Sequence, residues 1–350
     1  MDAFILAPAV IDAQRGCLAV SARRPVRLPT RLWSHRAWAG PWRAAVTPPS
    51  ATSTSAASEP VAAPHLSPGD TIAVVGATGG VGLLTLRRLA ASPGAPFSLR
   101  AVCRSAPADG LLPPDVEVVR GDIRRPAGAD GGDDMASAAV LPLAACLDGV
   151  AVVVIAVGTT AFPTKAWRGG NTPRAVDEQG VSAVVAALGA ATTRVVLVSS
   201  IGVNRRRQFP FVLLNAFGVL DAKAAGEAAV FAWADAAPSR SAVVVRPGRL
   251  TGAPQTNVGT TWVAGRPAEE EAGVVARGDT LVGDVSRAVT ADAVAWAVTA
   301  TGADELDFSV VGRPVGDQAG GKDWLSDLDG LLIDCGTQSC GQEHNAGASV

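Results

Sequence analysis

The chain has 350 residues, 48% of them apolar and 18% charged, with a formal net charge of −2, so it can bury the core of one large domain and still carry a tail. No stretch reaches the 18 or more uninterrupted apolar residues of a spanning helix, the richest run being Val150 to Val157. Five scattered cysteines and three histidines (His35, His65 and His344) give neither a disulfide framework nor a metal site.

Residues 1–65 hold seven arginines against three acids, a net of +4 that leaves −6 for the remainder. This basic leader passes into a Ser/Thr/Pro-rich stretch at Thr47 to Ser55, the composition of an organelle transit peptide, and a chloroplast address is expected, with the stroma as destination. The acidic remainder argues against nucleic acid as a partner.

From Thr71 onward, strand-like and helix-like segments alternate. Strands are expected at Ile72–Val75, Leu99–Cys103, Val116–Val119, Ala151–Val157, Val195–Ser199 and Ala242–Val245, with a seventh candidate at Asp307–Val311. The first strand runs into Gly76, Ala77, Thr78, Gly79, Gly80, Val81 and Gly82, where glycines recur every three residues before a helix in which Leu83, Leu86 and Ala90 share a face. That is the pattern of a dinucleotide-binding turn: a sharp bend, close backbone approach to a pyrophosphate, and a helix N-terminus facing the anion. Thr172 and Pro173 cap a helix carrying Val181, Val184, Val185 and Leu188 on one face. The alternation implies an α/β fold, a doubly wound parallel sheet of the Rossmann type. A leader and linker (1–65), a nucleotide-binding domain (66–314) and a carboxy-terminal extension (315–350) follow, and the part after about Gly252 is expected to cap the substrate side.

The second strand ends in Val102-Cys103-Arg104-Ser105. An acid here would accept from a ribose 2′-hydroxyl, whereas Arg104 and Ser105 suit a 2′-phosphate, so NADP(H) is expected over NAD(H).

Further motifs lie at the strand ends: Gly121-Asp122, Val157-Gly158-Thr159-Thr160, Val198-Ser199-Ser200, Phe217 to Lys223 with Gly226-Glu227, Arg246 to Thr251, and Val285-Ser286-Arg287. With the glycine turn, these make Thr71 to Gly312 resemble the short-chain dehydrogenase/reductase superfamily, in its atypical NAD(P)-binding branch with NmrA-like and flavin-reductase-like members. The resemblance implies that Asp122 and Ile123 border the adenine, Gly158 passes the ribose and nicotinamide side, and Pro247 sits beside the nicotinamide.

Typical members place a tyrosine four residues before the lysine; here that position is Val219, and the chain contains no tyrosine. Three readings stay open. The first is a reductase passing hydride to a flavin, quinone or conjugated acceptor that takes its proton from water, or using Lys223 as the acid/base. The second is a non-catalytic NADP(H) sensor or assembly protein working through a redox partner, and the third a binder of another nucleotide. Lys223 itself is a candidate for ribose contact, for catalysis, or for an exposed i, i+4 pair with Glu227. Ser199 and Ser200 either orient a substrate or cap a loop.

Arg205-Arg206-Arg207 reads as a solvated run with an anionic membrane surface or an acidic partner as the alternative, and Glu269-Glu270-Glu271 as its acidic counterpart. Trp167, Trp262 and Trp324 fill the core or shape a substrate lip. The Asp-rich stretch Ala127 to Met135 reads as a solvated loop, and Cys335 and Cys340 as inert thiols rather than a redox pair.

Overall fold

The structure is a computed structural model describing residues 66–92, 97–124, 140–252, 270–303, 305–315 and 324–333. The leader, the Ala127–Met135 stretch, Trp262, Glu269, Cys335 and Cys340 lie outside these residues. An eight-stranded sheet organises the domain, in the order β3-β2-β1-β4-β5-β6-β10-β8. Its members are β1 (Thr71–Val75), β2 (Ser98–Cys103), β3 (Val116–Arg120), β4 (Val150–Ile155), β5 (Arg194–Val198), β6 (Ser241–Pro247), β8 (Glu271–Arg277) and β10 (Glu305–Pro314). All neighbours pair in parallel except β10 with β8. A second, two-stranded sheet pairs β7 (Arg249–Thr251) with β9 (Asp284–Ser286). The chain enters it directly after Pro247, at the carboxyl end of the main sheet.

The inner strands β1, β4, β5 and β6 bury both faces, which is why they read as continuous apolar runs rather than alternating ones. Ile72, Val74, Val152, Val154, Val196 and Val243 face one layer, while Ala73, Val75, Val153, Ile155, Val195 and Val244 face the other. The first layer is closed by α1 (Gly80–Ala90), α6 (Arg287–Thr299) and α7 (Leu325–Ile333). The second is closed by α2 (Leu143–Cys146), α3 (Gln179–Ala186) and α5 (Val219–Asp235). A short helix, α4 (Phe211–Leu214), precedes α5. In α1, Leu83, Leu86 and Leu89 are buried, while Ala90, expected on that face, is exposed.

The part after Gly252 contributes more to the central layers than its sequence suggests, since β8 and β10 extend the main sheet and α6 covers it. Glu271 was expected in a solvated acidic run; it opens β8, is buried, and accepts the Ser286 N–H at 2.9 Å where α6 begins. Its carboxylate lies against Gly312, whose missing side chain leaves the room. Trp324 packs into the core against Gly273.

Arg246 on β6 meets Glu227 on α5 through two hydrogen bonds of 3.0 and 2.8 Å, with Asp307 of β10 as a second carboxylate partner. Both Arg246 and Glu227 are almost wholly inside. Burial disfavours the Arg246 charge, but the two carboxylates outweigh it and raise its pKa. Removing Glu227 leaves the buried Arg246 with Asp307 as its remaining carboxylate, so Glu227→Ala should lower stability by about 3 kcal/mol in urea unfolding, the low end for breaking a buried pair, and Glu227→Gln by less.

Candidate functional site

The chain turns from β1 into α1 where no side chain fits. Gly76 has φ +88°, and a Cβ there would stand 2.7 Å from the Ala156 carbonyl oxygen; one on Gly82 would stand 2.4 Å from that of Gly76. Gly79 N–H donates to the Gly76 carbonyl at 2.9 Å, and the first bond into α1 runs from Leu83 N–H to the Gly79 carbonyl at 2.8 Å. The amides of Gly80, Val81 and Gly82 therefore have no partner within the helix. No side chain caps this end, and its first turn holds no acid. Ala77 and Val81 are buried beneath the turn, and Thr78 beside them is half-buried. The result is a bare backbone cradle suited to a pyrophosphate.

Beyond β2, Arg104 and Ser105 are exposed. Arg104 donates to Asn171 Oδ1 at 2.9 Å, and Arg124, which sequence reasoning passed over, reaches the same oxygen at 3.0 Å. Arg124 also grips Asp122 through Nε (3.0 Å) and Nη2 (2.7 Å). Burial pushes the Asp122 carboxyl up, but hydrogen bonds from Arg124 and the charges of Arg124 and Arg104 outweigh it and hold the group below its ordinary value. Two guanidinium groups thus converge at the end of β2. Ile123 packs against Gly180 of α3. Cys103, at the end of the same strand, is buried, which pushes its thiol up to about 11.

The other half of the site gathers around Asp177, a residue that sequence reasoning did not single out. The Thr172–Pro173 start does cap a helix, since Thr172 Oγ1 accepts the Ala175 N–H at 3.3 Å. The first turn, Arg174–Glu178, is wound as a π-helix before α3 continues. Asp177 lies in that wide turn, a feature often found at functional positions. Its carboxylate is buried and accepts Lys223 Nζ at 2.7 Å on one oxygen, and Thr159 N–H (3.1 Å) and Oγ1 (2.5 Å) on the other. The signal was present: Asp177, Val181 and Val184 fall at i, i+4 and i+7, which puts a carboxylate on an otherwise apolar face.

Lys223 therefore is not half of an exposed pair with Glu227. Each charge is turned inward to a different partner, Asp177 for the lysine and Arg246 for the glutamate. The Lys223 ammonium stands against Gly158, where an added Cβ would come within 3.2 Å of it. Lys223, Asp177 and Ser199 line one cavity of about 10 Å³ with Val157, Val181, Leu197 and Val198, space for roughly one water molecule. Ser199 Oγ is buried and has no hydrogen-bond partner among the described residues. Ser200 Oγ donates to the Ile201 carbonyl at 3.0 Å, a local bond of the capping kind. Pro247 ends β6, where its carbonyl accepts the Ile201 N–H at 3.0 Å.

Val219, at the position where a tyrosine would stand, is sealed in a small apolar cluster with Ile201, Val203, Phe211 and Leu220. Nothing at that position can give or take a proton. Arg205, expected in solvent, is instead held by Asp279 at 2.8 Å and lies over the Phe211 ring. Trp167 is half-buried, with its ring against Phe217 and Nε1 donating to the Thr160 carbonyl at 3.2 Å.

The glycine cradle generates a direct test. Gly82→Ala drives a Cβ into a backbone oxygen that cannot swing aside, so it should cost about 1–3 kcal/mol in urea unfolding and weaken dinucleotide binding at least tenfold by calorimetry.

Comparison with known proteins accords with this geometry. A family model described as NAD(P)H-binding matches residues 76–301. The oxidoreductase ylbE from Lactococcus lactis has a similar fold, with a TM-score of 0.50 and 18% identity over 74% of this chain and 97% of that one. A short-chain dehydrogenase/reductase from Veillonella parvula in complex with NADP scores 0.44 at 14% identity, covering 72% of this chain and 97% of its own. A Rossmann-fold NAD(P)-binding family protein from Shigella flexneri scores 0.43 at 14%, with 72% and 96% covered. No curated protein matches the sequence. The match spans well over half of the chain and includes both the cradle and the Asp177–Lys223 pair: this protein belongs to the NAD(P)H-binding family, in keeping with the resemblance its motifs carry to atypical short-chain dehydrogenases/reductases.

Proposed function

We propose that the chain is an NADP(H)-dependent oxidoreductase that passes hydride to a flavin, quinone or other conjugated acceptor without a catalytic tyrosine. The observation that carries this reading is the unpartnered Ser199 hydroxyl beside the Lys223–Asp177 pair, at the carboxyl ends of the central strands where ligands of this fold bind. Preference for the 2′-phosphorylated nucleotide rests on Arg104 and Arg124 converging on Asn171, with Asp122 neutralised by Arg124. The composition of residues 1–65 supports action in the chloroplast stroma after the leader is removed.

When bound, the nicotinamide supplies the hydride. The chain's own residues hold and orient. The amides of Gly80, Val81 and Gly82 take the pyrophosphate. Asp177 uses one of the three ammonium protons of Lys223, which leaves two donors for ribose hydroxyls beside Gly158. Ser199 donates to, or accepts from, an oxygen of the acceptor. Val219 offers no proton, so the acceptor must be one whose reduced form takes its proton from water, as a quinone or flavin does and a simple ketone does poorly.

The test is NADPH oxidation by the full chain against flavins, quinones, enones and simple carbonyls. Quinone or flavin turnover is expected, with Ser199→Ala lowering kcat about tenfold at unchanged NADPH affinity. Loss of a charge-assisted hydrogen bond in Arg104→Ala should weaken NADPH binding roughly ten- to a hundredfold and leave NADH unchanged. Tight NADPH binding without turnover of any acceptor would point instead to a redox-sensing protein, and equal weakening of NADH would remove the NADP(H) preference.

A further inference from the structure

Six of the eleven large apolar side chains left in solvent among the described residues belong to 209–217 and to Phe162, which packs against Phe217; the others, Val282 among them, are spread along the sequence. Phe209 is 79% exposed and Leu213 59% exposed; Val212, Leu214, Phe217 and Phe162 stand out beside them. The segment cannot fold these residues inward. Phe211 is the one α4 side chain that reaches the core, and Val212, Leu213 and Leu214 follow it at 100° intervals, so their side chains spread over about 200° of a single turn. The apolar surface is therefore a projecting ridge rather than a groove. Phe162 and Phe217 meet edge to face at 5.9 Å and continue it towards the Thr160–Trp167 loop.

The ridge carries a positive rim. Arg205 and Arg206 are neutralised by Asp279 and Asp221. Arg207, one residue further on, is exposed and has no acidic partner among the described residues, and the same holds for Lys165 and Arg168, which flank Trp167 where it touches Phe217. Three unpaired cations around an apolar ridge are out of character for a chain whose residues beyond 65 carry −6. A groove-shaped partner would need to be moulded to the ridge, and an acidic peptide would leave its apolar crest wet. A bilayer satisfies both parts, since acyl chains accept the crest and anionic headgroups meet the rim.

We propose that the Phe209–Phe217 ridge docks this protein reversibly onto an anionic membrane surface, with the crest of α4 inserted at headgroup depth. Phe217 and Trp167 link the ridge to the loop after β4, so docking brings the mouth of the Lys223–Ser199 site to the bilayer and lets an apolar acceptor enter from it. That consequence rests on the hydride-transfer reading, whereas docking does not, and the test below involves no turnover.

The experiment is flotation of the full chain with phosphatidylcholine vesicles, with and without phosphatidylglycerol. The parent should float with the anionic vesicles alone. Phe209→Ser combined with Leu213→Ser should cut partitioning at least tenfold with NADPH binding intact, and Lys165→Gln and Arg207→Gln should each cut it about fivefold, the worth of one cation near such a surface. Residues 1–65 are themselves arginine-rich, so flotation unchanged in Phe209→Ser/Leu213→Ser would assign contact to the leader and overturn the proposal. A parent that does not float would overturn it too, as would a parent that is dimeric by light scattering when this variant is monomeric, since a second copy would then cover the ridge.

Discussion

A single buried carboxylate ties the working half of this protein together. Asp177 takes the ammonium of Lys223 from α5 and both donors of Thr159 from the loop after β4, and its own backbone oxygen lies where a side chain on Gly226 would stand. Three elements distant in sequence are thereby held at fixed separations around the end of the sheet. A buried ion pair of this kind contributes little net stability beside an apolar replacement, and its worth lies in geometry. It points Lys223 at Gly158 and keeps the lysine from swinging out to the surface position that its helical neighbour Glu227 would otherwise offer.

The opposite half is organised by the absence of side chains. Gly76 and Gly82 let the backbone of the turn approach the end of β4 and then itself, and the uncapped start of α1 is left facing outward. Arg104 and Arg124 meet at Asn171 beyond β2, and Lys223 stands beside Gly158 beyond β4, with Asp122 paired to Arg124 and Asp177 to Lys223. The valine at position 219 fits the same division of labour, because it closes an apolar cluster beneath α4 instead of reaching the site.

Much of the sheet was legible because its inner strands are buried on both faces and are written in valine, isoleucine and leucine. The cradle was legible because the spacing of Gly76, Gly79 and Gly82 meets a narrow steric demand. What stayed hidden depends on long-range partners. Strand β8 opens on Glu271, follows acidic residues, and pairs antiparallel at the sheet edge, so it lacks the apolar continuity of its neighbours. Lys223 and Glu227 share a spacing that suggests a local pair, yet buried partners from α3's first turn and from β6 claim them. Arg205 looked like part of a solvated run until Asp279, 74 residues away, was brought beside it. Asp177 was visible only as a carboxylate on an apolar helix face, a local inconsistency of the kind that marks functional positions.

In the proposed function, Asp177 acts on the nucleotide through Lys223. A double-mutant cycle with Asp177→Asn and Lys223→Met, read as NADPH affinity by calorimetry, addresses this directly. If the account is correct, each single substitution weakens NADPH binding and the double variant is no weaker than Lys223→Met alone. Losses that simply add, or an Asp177→Asn variant with parental affinity, would contradict it.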